Sequence, residues 1–323
     1  MLFVIYINDL PDVITNSSVY LFADDTKLFK YIKDQNDYIA LQKDLDNLQC
    51  WSDTWLLRFN PKKCSVLTIG NSHTLATPHA YSMTCDGSKH QLEQVSSERD
   101  LGVVIDENLS FEEHMQTKIN KANRLMNLIR RTFVYLDKEN FSLLYKCLVR
   151  PHLEYAHAVW NPYLKKHIHA LENVQRRATR LVPELKGFTY AQRLSKLNIP
   201  TLAYRRARGD MIETYKIFNK YDSNVTPNLL VQSGDQTRGH SKKLFILRTR
   251  TQRYKNSFYV RIRKTWNSLN DNVISAPSVY SFEVALDRCW KAEPIKFNYE
   301  SSVPGNDPAI LKKKQNLELN IEA

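Results

Sequence analysis

The chain has 323 residues, of which 42% are hydrophobic and 25% are charged, a composition typical of globular proteins with two or three domains. No window reaches the ~18 consecutive apolar residues of a transmembrane helix, so no membrane partner is predicted. The five cysteines are scattered and form no CxxC pair, which argues against a disulfide framework and indicates an intracellular location, in the nucleus or the cytoplasm.

The net charge of +12 is distributed unevenly along the chain. Residues 1–117 carry 9 basic and 17 acidic side chains, whereas residues 118–208 carry 19 basic and 5 acidic ones. Residues 238–264 add 10 basic side chains and no acidic one. This segregation predicts a polyanionic partner, nucleic acid, for the middle and late parts of the chain. Solvated basic helix faces are the alternative explanation.

The first hundred residues predict a mixture of helices and strands. Residues 2–8 are typical of the end of a helix, so we expect the chain to begin inside an element. Residues 19–23 and 26–32 predict two strands joined by a tight turn at Asp24 and Asp25. Apolar residues at three- and four-residue steps then predict an amphipathic helix over 35–59. Further strands, taken as antiparallel, are predicted at 63–70, 80–85, 91–96 and 101–106.

After Ser110 the sequence predicts helices, and we expect an α+β chain overall. The helices are expected near 111–135, 139–150, 153–161, 165–182, 189–197 and 201–220, with Pro151 among the residues that separate them. The predicted organisation is a mixed domain over 1–110, a basic helical region over 111–220, a polar linker over 221–242, a small basic region of strand and helix over 243–290, and a disordered tail over 291–323.

Two adjacent aspartates, Asp24 and Asp25, interrupt an apolar, aromatic-rich hairpin. Paired carboxylates at the tip of a rigid hairpin suit metal-assisted phosphoryl transfer, because Mg²⁺ prefers oxygen ligands and takes one or two carboxylates plus substrate phosphates. A bound cation would also offset the repulsion between the two like charges. A solvated Asp-Asp turn is the alternative.

The segment 22-FADD-25 on this hairpin resembles the [YF]ADD signature of reverse transcriptases from non-LTR, LINE-type retrotransposons of the jockey-like kind. The resemblance covers roughly residues 1–290, although Asn270 stands where the family pattern has proline. Six further segments carry it in the family's order: 2-LFVIYINDLP-11, 60-NPKKC-64, 101-LGVVIDENLSFEEH-114, 144-LYKCLVRPHLEYAHAVWNP-162, 172-ENVQRRATRLV-182 and 257-SFYVRIRKTWNSL-269.

The resemblance implies a partial polymerase palm, made of the FADD hairpin, a helix and antiparallel strands, followed by a mostly helical, thumb-like and C-terminal region. It implies that Asp24 and Asp25 are metal ligands, with Asp24 the direct ligand of Mg²⁺ or Mn²⁺. Lys63 matches a lysine near the departing pyrophosphate, where it would act as general acid or electrostatic stabiliser. A solvated lysine at the start of a strand is the alternative for Lys63.

The family's catalytic centre also uses a third carboxylate and a fingers region, both placed before the FADD hairpin. We therefore expect a 5′-truncated fragment of an RNA-directed DNA polymerase, whose parent uses an RNA template, a DNA primer, dNTPs and Mg²⁺. The hypothesis is that this chain alone is inactive as a polymerase. The alternative function is that of a non-catalytic, nucleic-acid-binding remnant that uses the basic helical region.

Two arginine clusters are the predicted nucleic-acid contacts: Arg176, Arg177 and Arg180, followed by Arg205, Arg206 and Arg208. Aromatic residues interleave with them and are candidates for stacking on unpaired bases, with burial in a helical core as the alternative. These aromatics are Tyr135, Tyr145, Tyr155, Trp160, Tyr190 and Tyr204.

Zinc binding is not predicted, because the spacing of the cysteine and histidine residues in the helical region matches no zinc signature. The residues concerned are Cys147, His152, His157, His167 and His169.

Overall fold

A computed structural model describes residues 2–70, 80–85, 87–219, 221 and 240–305. The chain divides into two units, Met1–Ser110 and Phe111–Ala323. The described residues combine helices with small β-sheets, which confirms the α+β class. None of the described helices is long and apolar enough to cross a membrane.

The first unit contains two helices and eight short strands among its described residues. The helices are α1 (Leu2–Tyr6) and α2 (Gln35–Trp55), and 3₁₀ turns cover Leu10–Val13 and Pro61–Lys63. The strands are β1 (Ser18–Phe22), β2 (Asp25–Phe29), β3 (Ser65–Leu67), β4 (Ser82–Cys85), β5 (Ser88–Gln91), β6 (Glu93–Val95), β7 (Ser97–Asp100) and β8 (Val103–Asp106).

Strands β1 and β2 form the predicted antiparallel hairpin, with Phe22 directly opposite Asp25. Side chains alternate between its two faces, as the pleat of a strand requires. Val19, Leu21 and Leu28 point to the core of the first unit, which is built on Leu10, Leu48, Trp51 and Ile7. The other face is exposed to solvent.

Helix α2 begins at a capping box, in which the Asp34 carboxylate accepts from the backbone N–H of Asn36 and Asp37. The helix ends at Trp55, four residues before the predicted end, because Leu56 takes a left-handed backbone conformation with φ +57°. The Ser52 hydroxyl then donates to the Leu57 carbonyl at 2.6 Å and holds the chain in its new direction.

The strands of the first unit form four separate two-stranded sheets. Three pairs are antiparallel, but β3 and β6 are parallel, which corrects the prediction that these strands are all antiparallel. The antiparallel hairpin of β4 and β5 lies between β3 and β6 in the chain. Strand β6 runs alongside β3 in the same direction.

The described residues of the second unit form helices and no strand. Its helices are α3 (Glu112–Thr132), α4 (Lys138–Leu144), α5 (Arg150–Glu154), α6 (His157–Trp160), α7 (Lys165–Ala178), α8 (Tyr190–Leu197), α9 (Leu202–Phe218), α10 (Gln252–Asn256), α11 (Phe258–Asn267), α12 (Asp271–Ile274) and α13 (Val279–Cys289).

Pro151 does not separate two helices, contrary to the prediction. A π-helical turn, Tyr145–Val149, joins α4 directly to α5, and Pro151 lies in the first turn of α5. A proline inside a regular α-helix lacks a donor and clashes with the carbonyl four residues earlier. The wider π turn, closed by the Arg150 N–H donating to the Tyr145 carbonyl, accommodates the ring.

Residues 243–290 form four short helices and no strand, which differs from the predicted strand-and-helix region. Most of the predicted linker, 222–239, lies outside the described residues, while the Lys242 carbonyl accepts from the buried Trp266 indole at 2.8 Å. Residues 306–323 of the predicted tail also lie outside the described residues. Residues 291–305 are ordered, because the Thr201 hydroxyl donates to the carbonyl of buried Ile295 at 2.6 Å.

Gly209 lies on α9, where a Cβ atom would come within 2.5 Å of the His157 ring. We expect Gly209→Ala to destabilise the chain by about 1–3 kcal/mol, since the half-buried ring has to move. Gly187 is the matched control, because a Cβ there meets no atom within 4 Å. Gly187→Ala should leave the free energy of unfolding unchanged or raise it by less than about 1 kcal/mol. Equal stability of the two variants in urea denaturation would contradict the close approach.

Candidate metal site and nucleic-acid interface

The turn between β1 and β2 holds the two aspartates at the tip of the hairpin. Ala23 takes a left-handed conformation with φ +51°, and Ala23 and Asp24 form the two-residue turn before Asp25 begins β2. Asp24 and Asp25 are both exposed, and Asp25 shares the solvent face of the hairpin with Phe22. The structure therefore presents two adjacent carboxylates on a hairpin whose other face is fixed by the core.

Carboxylate oxygens are ligands of the type that Mg²⁺ prefers, and Asp24 and Asp25 supply two side chains of this kind. Within the described residues, no group of three or more His, Cys, Asp or Glu side chains could hold a metal ion. The part of the chain that the structure describes thus shows a pair of carboxylates and no complete metal site. Exposure also explains how two like charges are held side by side, since water screens their repulsion.

Lys63 lies at the end of the 3₁₀ turn Pro61–Lys63 and is exposed. Asn60 caps this turn by accepting from the Lys62 N–H. No hydrogen bond or ion pair between described residues joins Lys63 to either aspartate. A different lysine, Lys27, lies on the same face of the hairpin as Asp25 and forms an ion pair with Asp100.

The three predicted arginines on α9 all have roles inside the second unit. Arg205 makes a bidentate pair with Glu154, with two N–O distances of 2.8 Å. Arg208 makes a similar pair with Asp287, at 2.6 and 2.9 Å. Arg206 is only 3% exposed, and this burial lowers its pKa, while Glu172 opposes the shift. The structure thus places these three guanidinium groups in intramolecular contacts rather than on an open surface.

The arginines of the first predicted cluster, Arg176, Arg177 and Arg180, differ in their contacts and exposure. Arg176 donates to the Tyr299 hydroxyl at 3.0 Å and lies over the rings of Tyr190 and Tyr299. Arg177 and Arg180 are exposed. Within this cluster, the latter two have the positions that a phosphate backbone could reach.

Helix α3 carries a set of exposed cations that the sequence analysis did not single out as nucleic-acid contacts. This helix packs directly against α7. The Arg177 guanidinium donates to the Asn123 side chain at 3.0 Å, one residue from the exposed Arg124. The signal was present in the sequence, because the basic residues of 118–131 fall outside the buried apolar positions of the helix. The exposed members are Lys121, Arg124, Arg130 and Arg131.

The aromatic residues of the basic region divide between core and surface. Tyr145, Trp160 and Tyr204 are buried, so the alternative of core packing holds for them. Tyr190 is half-buried and donates to the Glu172 carboxylate at 2.6 Å. The exposed ones are Tyr135, whose hydroxyl donates to Glu184, and Tyr155.

His157 lies in a buried network of charged groups beside α9. Its Nδ1–H donates to the Glu154 carbonyl at 3.1 Å, while Nε2 has no hydrogen-bond partner within the described residues. Nε2 is 3.6 Å from Asp210, whose carboxylate already accepts two hydrogen bonds from Arg261 at 2.8 Å. Burial lowers the pKa of His157, and Asp210 only partly opposes this shift.

We expect the free energy of unfolding to fall as the pH decreases below about 6.5. The unfolded chain binds a proton at His157 near that pH, whereas the folded chain, with its lowered pKa, does not. Urea denaturation from about pH 7.5 to 5.5 should show this slope, and His157→Gln should reduce it. Burial also lowers the pKa of His152, His167 and His240, so part of the slope remains. Identical slopes in both proteins would contradict a neutral, half-buried His157.

Three curated proteins are similar in sequence to this chain. The RNA-directed DNA polymerase from mobile element jockey of Drosophila funebris is 31% identical over 150 residues, covering 44% of this chain and 15% of the relative. The protein of the same description from Drosophila melanogaster is 26% identical over 220 residues, covering 65% and 22%. The probable RNA-directed DNA polymerase from transposon BS of Drosophila melanogaster is 25% identical over 175 residues, covering 52% and 19%.

The chain thus spans about a fifth of the length of these curated relatives. No protein-family model matches it. No solved structure matches it either. The similarity confirms the resemblance that was carried by the FADD hairpin and the segments after it.

Proposed function

We propose, from the relationship of this chain to the RNA-directed DNA polymerases of jockey-like non-LTR retrotransposons, that it supplies a metal-binding hairpin and a nucleic-acid-binding helical region to a reverse transcriptase. In this proposal the first unit is part of the polymerase palm and the second unit is the thumb-like region. RNA template, DNA primer and dNTPs are the partners of the whole enzyme.

The observation that carries the proposal is the exposed carboxylate pair on the core-backed hairpin. Asp24 would be a direct ligand of a divalent cation and Asp25 its neighbour on the same tip. Such a cation supplies charge neutralisation for the triphosphate and activation of the attacking hydroxyl when it is bound. The small side chain of Ala23 leaves room beside the pair, and Lys63 would donate a proton to the departing pyrophosphate or stabilise its charge.

A polymerase active site has to position a primer hydroxyl and a triphosphate at the same time. Two carboxylates are few metal ligands for this task. Since no third His, Cys, Asp or Glu side chain joins them within the described residues, the chain by itself would bind a divalent cation weakly. We therefore propose that it is inactive alone as a polymerase.

A non-catalytic role in nucleic-acid binding is the second candidate function. The observation that favours it is a set of exposed cations: Lys121 and Arg124 on α3, Arg177 on α7, and Arg180 in the 3₁₀ turn that follows α7. Such cations neutralise phosphates and release counterions, a contribution that does not depend on Asp24 or Asp25. The two functions are compatible in one enzyme, but each can be lost without the other.

The metal site can be tested by Mn²⁺ binding, followed through the relaxation of water protons. We expect weak binding by the unmodified chain and loss of that binding in Asp24→Asn, with a smaller loss in Asp25→Asn. Asp53→Asn is the control, because Asp53 is exposed on α2 and lies outside the hairpin. Equal binding by all four proteins would contradict the site.

The same preparations should give no primer extension on an RNA template with dNTPs and Mg²⁺. Template-dependent extension that Asp24→Ala abolishes would contradict the proposal that the chain alone is inactive. Extension that survives Asp24→Ala would instead indicate a contaminating polymerase, which repurification under stringent salt would remove.

The nucleic-acid interface can be tested by charge reversal of Arg177 and Arg180. The double variant to Glu should weaken binding of an RNA–DNA duplex by about tenfold or more at low salt and reduce the slope of log Kd against log salt. The matched control reverses Arg288 and Lys291, two exposed cations on α13 and just after it. Fluorescence anisotropy measures both. Equal weakening by the two double variants would show net charge, rather than this surface, as the cause.

A further inference from the structure

Tyr155 is an exposed ring on a rigid backbone. The residue ends α5, and its side chain is 53% exposed. The Tyr155 N–H donates to the Pro151 carbonyl at 3.0 Å, and the Tyr155 carbonyl accepts from the fully buried Trp160 indole at 2.7 Å. The next residue, Ala156, turns the chain through a left-handed conformation with φ +53°. The backbone at Tyr155 is therefore fixed on both sides, while about half of the side chain faces solvent.

Cationic groups surround this ring. The Lys118 ammonium of α3 lies 5.9 Å from the ring centroid. His152 on α5 lies three residues before Tyr155, which caps the end of this helix, so the two side chains lie on the same side of it. Lys121 lies three residues after Lys118 on α3, so these two side chains share a helix face. Burial lowers the pKa of His152, and Lys121 and Lys118 lower it further. Helices α3 and α5 pack directly against each other, so these four residues form one surface.

We infer that this surface, Lys118, Lys121, His152 and Tyr155, binds an unpaired stretch of nucleic acid, with Tyr155 stacking on a base. An aromatic ring accepts any base because each base has a flat π face, and the adjacent lysines neutralise the phosphates of the same strand. This inference rests on the proposed nucleic-acid-binding function and adds the class of ligand, a single strand with exposed bases.

Single-stranded rather than duplex nucleic acid fits the surface for a geometric reason. In a duplex the bases are stacked on one another and paired, so an exposed ring gains little from them. The cations of α3 and α7 act on phosphates and so serve either form. Tyr135 is less suited to this role, because its hydroxyl donates to Glu184, a carboxylate that repels a phosphate backbone.

The test measures binding of the full chain to fluorescein-labelled single-stranded RNA by anisotropy at one fixed, low salt concentration. The variants are Tyr155→Leu and Tyr155→Trp, with Tyr280→Leu as the matched control because Tyr280 is an exposed tyrosine on α13. The probes are an oligonucleotide with bases, an abasic oligonucleotide of equal length, and an RNA duplex of equal length.

We expect Tyr155→Leu to weaken binding of the base-bearing strand by about fivefold or more, the lower end of what one stacked base contributes. Binding of the abasic strand and of the duplex should change by less than about twofold, because no base stacks on the ring there. Tyr155→Trp should retain the affinity, and Tyr280→Leu should behave as the unmodified chain. A DNA oligonucleotide should show the same loss, because the ring contacts the base and not the sugar.

Equal effects of Tyr155→Leu on all three probes, or no effect on any, would overturn the inference. A loss confined to RNA or to DNA would also overturn it, since stacking does not depend on the sugar. These outcomes are distinct from failure of the proposed function, in which the unmodified chain binds none of the probes. Thermal denaturation of each variant shows whether a loss of binding arises from unfolding. If Tyr155→Leu unfolds, the affinity of Tyr155→Trp for the base-bearing strand tests the inference, and loss of that affinity in a folded Tyr155→Trp would overturn it.

Discussion

The second unit depends on the charged side chains of α9, which tie this helix to the elements around it. Arg205 and Asp210 are both mostly removed from solvent, and each makes a bidentate pair with a residue of another segment. A bidentate pair fixes both the distance and the orientation of its two partners. Along one helix, such contacts therefore set the positions of several neighbours at once. Arg205 pairs with Glu154 at the end of α5, and Asp210 pairs with Arg261 on α11. Arg208 pairs with Asp287 and Glu283 on α13.

Forming one of these buried ion pairs and removing one of its partners change the free energy of unfolding by different amounts. This difference affects how substitutions of the basic residues are interpreted. Making a buried pair contributes little net stability, but removing one partner leaves a desolvated charge and costs about 3–5 kcal/mol. Arg206 shows the cost most directly, because burial lowers its pKa even with Glu172 nearby to oppose the shift. Loss of nucleic-acid binding after a substitution on α9 would therefore report a weakened fold as readily as a lost phosphate contact.

The sequence predicted the features that depend on local patterns. Alternating apolar residues predicted the hairpin of β1 and β2, although its turn is Ala23–Asp24, one residue before the predicted Asp24–Asp25. Helical spacing predicted α2 and the long helices of the second unit. It could not predict features set by distant contacts. Arg177 and Arg206 look alike in sequence, yet the first is exposed and the second is buried by residues from other helices. The order of residues 291–305 likewise depends on Thr201, about ninety residues earlier.

The exposed cations and the aspartate pair share one physical property: the fold does not depend on them. Helices α3 and α7 bury apolar side chains on their inner faces, so the exposed side chains of Lys121 and Arg124 are not needed for that packing. The hairpin is likewise held by Val19, Leu21 and Leu28, while Asp24 and Asp25 point into water, which screens their repulsion. A positive surface and a carboxylate pair that are already in place lose less free energy to ordering when a ligand binds. The protein thus separates residues that build its structure from residues that remain available for binding.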